Sequence, residues 1–214
     1  MLIPATRTTF HTLLDARPLA EPSDAPAIIF VATDTEPVVV TRRALATAVT
    51  QHAAALHALG IQPGDLVLIA HTQNLDSIYA FWGALRLGAI PTLFPNLTEK
   101  LDGDVYRGSM AQLIALSQVK AVLTSDDFAA TLRGVASCPV YGNSDLPLDA
   151  PPPPFAAPDP QAIAFLQHSS GTTGLQKGVA LTHTAVLNQL ATYSQAIALQ
   201  PDDVVVSWLP LYHD

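Results

Sequence analysis

Cysteine is almost absent: Cys138 is the sole thiol, so no disulfide can form within the chain and a cystine-stapled fold is excluded. Basic charge is scarce too, with ten Lys and Arg against eighteen Asp and Glu and a formal net charge of −8. The largest basic cluster is Arg42-Arg43. Nucleic acid and anionic membranes select basic patches, so the sequence predicts neither as a partner. Long apolar runs are missing although 49% of residues are hydrophobic; none approaches the roughly 18 residues a membrane span needs. Met1 to Phe10 has one arginine and no apolar stretch ending in a small-residue cleavage site, which predicts no secretory signal. A lone thiol and no signal fit a reducing cytoplasm. Cys138 itself reads as a small buried or half-buried side chain.

The apolar content is enough for a real core and excludes wholesale disorder. Ala27 to Ala32 and Val38 to Thr41 are β-branched runs around the turn-forming Asp34 to Pro37, the pattern of a hairpin. Thr41 is placed to cap a helix in which Leu45, Val49, His52, Leu56 and Leu59 recur at helical spacing and which Gly60 ends. His52 falls on that stripe and reads as a packed histidine, and His57 as surface. Leu66 to Ala70 follows as a compact strand. Asn74 caps a helix carrying Leu75, Ile78, Tyr79, Trp82 and Leu85, closed by Gly88; Tyr79 and Trp82 read as core. Ala89 to Phe94 is a strand, Met110, Leu113, Ile114 and Ser117 lie on a third helix, and Lys120 to Thr124 is again strand-like. This alternation predicts an α/β fold: a mainly parallel sheet flanked by helices, with ligands at the carboxyl ends of its strands.

Residues 147–160 are proline-dense and favour an extended path, either a domain linker or, preferred because another strand follows, an internal connection within one domain spanning 1–214. Gln161 to Gln167 supplies the next strand and Val179 to Leu181 another. A helix from Thr182 has Val186, Leu190, Tyr193 and Ile197 at helical spacing, and Asp203 to Leu209 reads as a final strand.

Between those strands lies the most specific feature, Ser169-Ser170-Gly171-Thr172-Thr173-Gly174-Leu175-Gln176-Lys177-Gly178. Glycines let successive backbone N–H groups turn toward an anion, hydroxyls add donors, and lysine adds a full charge, so the loop suits phosphate. It is not a Walker loop. That motif needs Gly-Lys followed by Ser or Thr, whereas Lys177 comes three residues after Gly174 and precedes Gly178.

The order of residues resembles the phosphate loop of the adenylate-forming superfamily of acyl-CoA synthetases, fatty acyl-AMP ligases, peptide-synthetase adenylation domains and luciferases. Gln176 departs from the proline usual there, leaving the backbone before Lys177 less restricted. About 35 residues on, Trp208-Leu209-Pro210-Leu211-Tyr212-His213-Asp214 resembles the next landmark of the fatty acyl-AMP ligases and related acyl-CoA synthetases. Leu59 to Asp65 and Gly83 to Pro91 also look like the family's N-terminal region, so the resemblance spans most of the chain.

The resemblance implies an ATP- and Mg²⁺-dependent ligase. A carboxylate, fatty acyl by the second landmark, attacks the α-phosphorus of ATP, and a thiol of coenzyme A or of a carrier protein's phosphopantetheine then takes the acyl group. Ser169, Ser170, Thr172 and Thr173 are expected to donate to phosphate oxygens and Gly171, Gly174 and Gly178 to allow close approach. Lys177 and His213 are the expected catalytic positions, Lys177 beside the polyphosphate and His213 orienting at the acyl-pocket entry. No protein metal ligand is expected, magnesium being held by the phosphates. His168 reads either as a phosphate contact or as a structural strand-end residue. The family's downstream adenine-, ribose- and lid-forming segments are not in these residues, which implies an N-terminal fragment that cannot complete adenylation alone. Two other readings stand beside this one: an amino-acid adenylation domain, and a non-catalytic nucleotide-binding or interaction module with an exposed face that favours self-association.

Overall fold

In the computed structural model, which describes residues 10–72, 74–95, 102–168, 178–200 and 202–212, the chain enters through a single 3-10 turn, Leu13–Asp15, and a short helix, α1 (Arg17–Ala20). The β-branched runs then pair as predicted. β1 (Pro26–Phe30) and β2 (Val38–Thr41) form an antiparallel hairpin with Phe30 opposite Val38.

Helix boundaries follow from side chains that satisfy the first free backbone N–H groups. The Thr41 hydroxyl accepts from Ala44 N at 3.1 Å and starts α2 (Arg42–Ala58). The turn after it places Gly60 at φ +85°, and β3 (Leu66–Ala70) follows. Asn74 Oδ1 accepts from Ser77 N at 2.9 Å and starts α3 (Leu75–Leu87), and Gly88 ends it at φ +84°. β4 (Ile90–Leu93) comes next, then α4 (Gly103–Ser117), whose first N–H groups donate to the Asp102 carboxylate. β5 (Ala121–Thr124), α5 (Asp126–Arg133) and the two-residue β6 (Val140–Tyr141) complete this half.

The proline-dense segment has no regular secondary structure and leads to β7 (Ile163–His168), with the Arg86 guanidinium 5.0 Å above the Phe155 ring. β8 (Gly178–Thr182) returns antiparallel to β7, and the Thr182 hydroxyl caps α6 (His183–Ala196) through Ala185 N at 3.1 Å.

Six strands form one sheet in the order β6-β5-β3-β4-β7-β8, parallel except for β8. The architecture is the expected α/β one. Strand alternation divides the core in two: Val67, Ile69, Ala121 and Leu123 meet Ala53, Leu56, Ala80 and Ala84 of α2 and α3. Leu68, Ala70 and Val122 meet Met110, Ile114, Ala129 and Leu132 of α4 and α5 on the other face. Burial on both faces explains why β3 is apolar throughout and β5 apolar up to Thr124, whose buried hydroxyl donates to Ala70 O at 2.7 Å.

Two sequence expectations need correction, and the helix expected from Thr182 is present with its apolar stripe uncovered. Asp203 to Leu209 is not a strand: it has no ladder partner among the described residues, and Val204, Val205, Val206 and Trp208 are 74–84% exposed. β-propensity alone does not make a strand without a neighbour to pair with. The α6 stripe is periodic but uncovered, with Leu190, Tyr193 and Ile197 each at least half exposed. Tyr79 and Trp82 were both expected in the core; both are half-buried and pack beside Val40, Leu45 and Val49, and Trp82 also lines a cavity. His52 is buried, its Nδ1 2.8 Å from Ala48 O.

Candidate functional site

β7 carries the chain into the phosphate-loop motif and β8 carries it out. The register places His168, the last residue of β7, opposite Gly178, the first of β8, so both ends of the 169–177 connection lie side by side. They lie at the carboxyl edge of the parallel strands, since β7 also pairs with β4 through Leu166 opposite Thr92. Ligands of open α/β sheets bind at that edge. Ser169, Ser170, Gly171, Thr172, Thr173, Gly174 and Lys177 fall outside the described residues, as does His213. Gly178 is described and exposed, and begins β8.

Around the loop's first anchor the packing is tight. His168 is buried, and its Nδ1 lies 2.9 Å from Thr92 Oγ1, which is fully buried. Phe94 stands edge-on to the imidazole with ring centroids 6.3 Å apart. Phe94 in turn packs on Tyr106, whose hydroxyl donates to Pro95 O at 2.8 Å. Burial pushes the His168 pKa below its ordinary 6.5, so the ring is neutral at pH 7. Of the two roles open to His168, this geometry supports the structural one at Nδ1.

Beside β7 lies a cavity of about 360 Å³, walled by Ile78, Phe81 and Trp82 of α3, Leu93 of β4, and Phe165, Leu166 and Gln167 of β7. Leu211 and Tyr212 complete its lining. Sequence reading missed this role of α3. No Asp, Glu, Lys or Arg is among its lining residues, so it suits an apolar guest with a polar end near Gln167. The residues just before the first motif and those of the second thus meet on one cavity, although about 45 positions separate Phe165 from Leu211.

A larger cavity of about 720 Å³ sits at the opposite, amino-terminal edge, between Ile90, Ile163 and the 153–159 segment. Its position takes it away from the loop anchors, and we assign it no part in the site. At the carboxyl ends of β3 and β5 the polar groups close on one another: Asn143 donates to Asp76 at 2.8 Å, and Ser144 N and Oγ both donate to Asp126 at 2.9 Å. Among the described residues no three His, Cys, Asp or Glu side chains gather as a metal site. No described helix is long and apolar enough to cross a membrane.

Residues 14–214 match the AMP-binding enzyme family. This chain belongs to that family. Among similar proteins, the long-chain-fatty-acid–AMP ligase FadD32 of Mycolicibacterium smegmatis is 32% identical over 72% of this chain and 25% of its own length. The 4-coumarate–CoA ligase 2 of Petroselinum crispum is 32% identical over 75% of this chain and 32% of its own. A fatty acyl-adenylate ligase from L. pneumophila, solved with acyl adenylate and pyrophosphate, superposes with a TM-score of 0.82 at 26% identity. That likeness covers 96% of this chain and 36% of the other, so the chain spans between a quarter and two-fifths of these AMP-binding enzymes.

Proposed function

We propose that these residues form the nucleotide- and acyl-facing part of an ATP-dependent ligase that activates a hydrophobic carboxylate, fatty acyl in the first instance. The observation that carries this reading is the cavity shared by β7, which leads into the phosphate loop, and Leu211-Tyr212 of the second motif.

The chemistry follows from where charge develops. The carboxylate is ionised at neutral pH and needs no base. Its oxygen bonds to the α-phosphorus of ATP while the bond to the bridging oxygen of pyrophosphate breaks, so negative charge grows on the departing pyrophosphate. Lys177 neutralises that charge, and the hydroxyls of Ser169, Ser170, Thr172 and Thr173 donate to the phosphate oxygens. Preorganised donors of this kind outweigh water because they need no reorganisation as the charge appears. Gly171, Gly174 and Gly178 permit close backbone approach. Mg²⁺ enters on the phosphates rather than in a protein cage. His213 is the next residue in sequence after Tyr212, which lines the cavity, and its role is to orient the acyl group. The thiol acceptor is coenzyme A or a phosphopantetheine arm, and an ATP-fed reaction with a lone protein thiol suits the cytoplasm.

Carboxylate-dependent exchange of labelled pyrophosphate into ATP tests the reading, with fatty, aromatic and amino acids offered to the full-length polypeptide that carries these residues. Stimulation by fatty acids is expected, and none with the 214 residues alone, because the relatives use far more chain. Lys177→Ala should slow exchange by about 10²- to 10³-fold with circular dichroism unchanged. An undiminished rate removes Lys177 from the mechanism, and stimulation by amino acids alone would make the protein an amino-acid adenylating enzyme. If no acid stimulates exchange, the loop is a binding feature of a non-catalytic module.

A further inference from the structure

The depth of the cavity beside β7 can be read from the two elements that wall it. β3 and β4 are parallel and α3 connects them, so α3 starts at the carboxyl edge of the sheet and runs back toward the amino edge. Of its residues on the cavity, Ser77 and Ile78 belong to the first turn, and Phe81 and Trp82 lie one turn deeper, about 5 Å further from that edge. β7 agrees from the other wall: Gln167 is near the edge, and Phe165, two residues earlier on the same face, is about 6.6 Å below it.

At the deep end three aromatic rings close on one another. Phe81 meets Phe165 with ring centroids 5.4 Å apart and Trp82 with centroids 6.1 Å apart, both edge-to-face. Behind them lies packed core: Leu85, one turn further along α3, and Ala164 are at most 2% exposed and belong to the cluster these rings pack against. The rings are therefore a floor and not a passage.

A floor limits how much guest the cavity takes. Its 360 Å³ is the space of about a dozen water-sized groups, and a methylene is of that size. A chain of eight to twelve carbons or a single aromatic ring fits this space, and a sixteen-carbon chain does not. Building on the acid-activation reading above, we propose that Phe81, Trp82 and Phe165 form the floor of the acyl site and restrict the substrate to medium-chain or single-ring apolar acids. Trp82, the largest of the three, sets the limit.

Trp82 supplies its own probe. Trp208 is the other tryptophan of the chain, so Trp208→Phe leaves Trp82 as the single indole. In the 214-residue chain with that change, decanoate and cinnamate should shift the Trp82 emission, and hexadecanoate should bind at least about tenfold more weakly. No response to either smaller acid, or a tighter response to hexadecanoate, overturns the proposal whatever the full-length protein catalyses. In the full-length polypeptide, pyrophosphate exchange should be fastest with acids of eight to twelve carbons or one ring. It should be at least about tenfold slower with sixteen carbons, since a single surplus methylene in an apolar pocket already costs about that much. Trp82→Ala should move the optimum to longer chains, Trp82→Phe should move it less, and Ile78→Trp, which fills the outer part, should move it to shorter ones. Circular dichroism monitors each variant, and Trp82→Phe keeps an aromatic floor should the alanine variant fail to fold. A wild-type optimum at sixteen carbons, or an optimum unmoved in every folded variant, would overturn the proposal and leave acid activation standing. No exchange with any acid would remove the activation reading, and the emission response would then decide this one.

Discussion

α2 and α6 are helices of similar composition with opposite fates. Each is capped by a threonine hydroxyl, each is nearly free of acidic residues, and each repeats apolar side chains at helical spacing. On α2 the repeat is covered: Leu45, Val49 and Leu56 are at most 5% exposed. On α6, Leu190, Tyr193 and Ile197 are 50–61% exposed, and the valine run that follows is more exposed still. Periodicity therefore tells which face is apolar and nothing about what covers it. The sheet half around β3 finds its cover within these residues, whereas the stripe after β8 does not find it among those described.

The sharpest way to break this comparison is to cut the same side chain on both helices. Leu56→Ala should destabilise by about 2–5 kcal/mol, the range for a fully enclosed leucine, and Leu190→Ala by no more than about 0.5 kcal/mol. Urea unfolding at equal protein concentration measures both. A comparable loss at Leu190 would mean that α6 is covered in solution. A second copy is one such cover, because the exposed apolar stripe has no Asp, Glu, Lys or Arg between Gly178 and Gln200 to repel one. Sedimentation across a concentration series would show it.

The same contrast explains what was legible. Thr41, Asn74, Gly60 and Gly88 marked helix ends because caps and left-handed turns are local chemistry, complete within a few residues. α5 and β6 were not read from the sequence. Eight and two residues long, they give too few periods to separate from a loop; β6 forms because β5 offers an edge, and α5 buries Ala129 and Leu132 against the sheet. Asp203 to Leu209 failed for the converse reason, since a strand is made by its neighbour. At the site, the phosphate-loop motif was plain from residue order. Thr92 was not, because its partner His168 lies 76 positions away and meets it only through the register of β4 with β7. The one signal available was a hydroxyl in an apolar strand.

A smaller effect sharpens the comparison at the helix contact itself. α2 and α3 approach closely at Gly83, where an added Cβ would lie 2.5 Å from His52 Cβ and 3.1 Å from Ala53 N. Backbone and the root of a side chain cannot swing away, so Gly83→Ala should cost about 1–3 kcal/mol despite alanine's better helix propensity. Stability at or above wild type would show that the α2–α3 packing is looser than described.

Acid should loosen both helices through buried histidines. His52 on α2 and His183 at the start of α6 each have a pKa held below the ordinary 6.5 by burial. His183 Nδ1 accepts from Leu13 N at 3.2 Å, so protonation there removes an acceptor and breaks a tie to the first turn. A base with a lowered folded pKa binds more protons when unfolded, so its stabilisation is full above about pH 6.5 and is lost as pH falls through the folded value. Unfolding midpoints should therefore drop between pH 7.5 and 5. His183→Asn should flatten that drop, and an unchanged slope would exclude His183 as a contributor.

The smallest expected change runs in the other direction. Gly108 lies mid-helix on the exposed side of α4, and a Cβ there would meet nothing within 4 Å. With no contact to lose, only the helix propensity and the unfolded chain's entropy remain, and Gly108→Ala should stabilise by about 0.5–1 kcal/mol. Set beside Gly83→Ala, this substitution separates the two meanings of a helical glycine: one makes room for a neighbouring helix, the other has no neighbour. A destabilised Gly108→Ala would reveal a partner on that face of α4, which the exposed Val105 and Leu116 on the same helix could then help to locate.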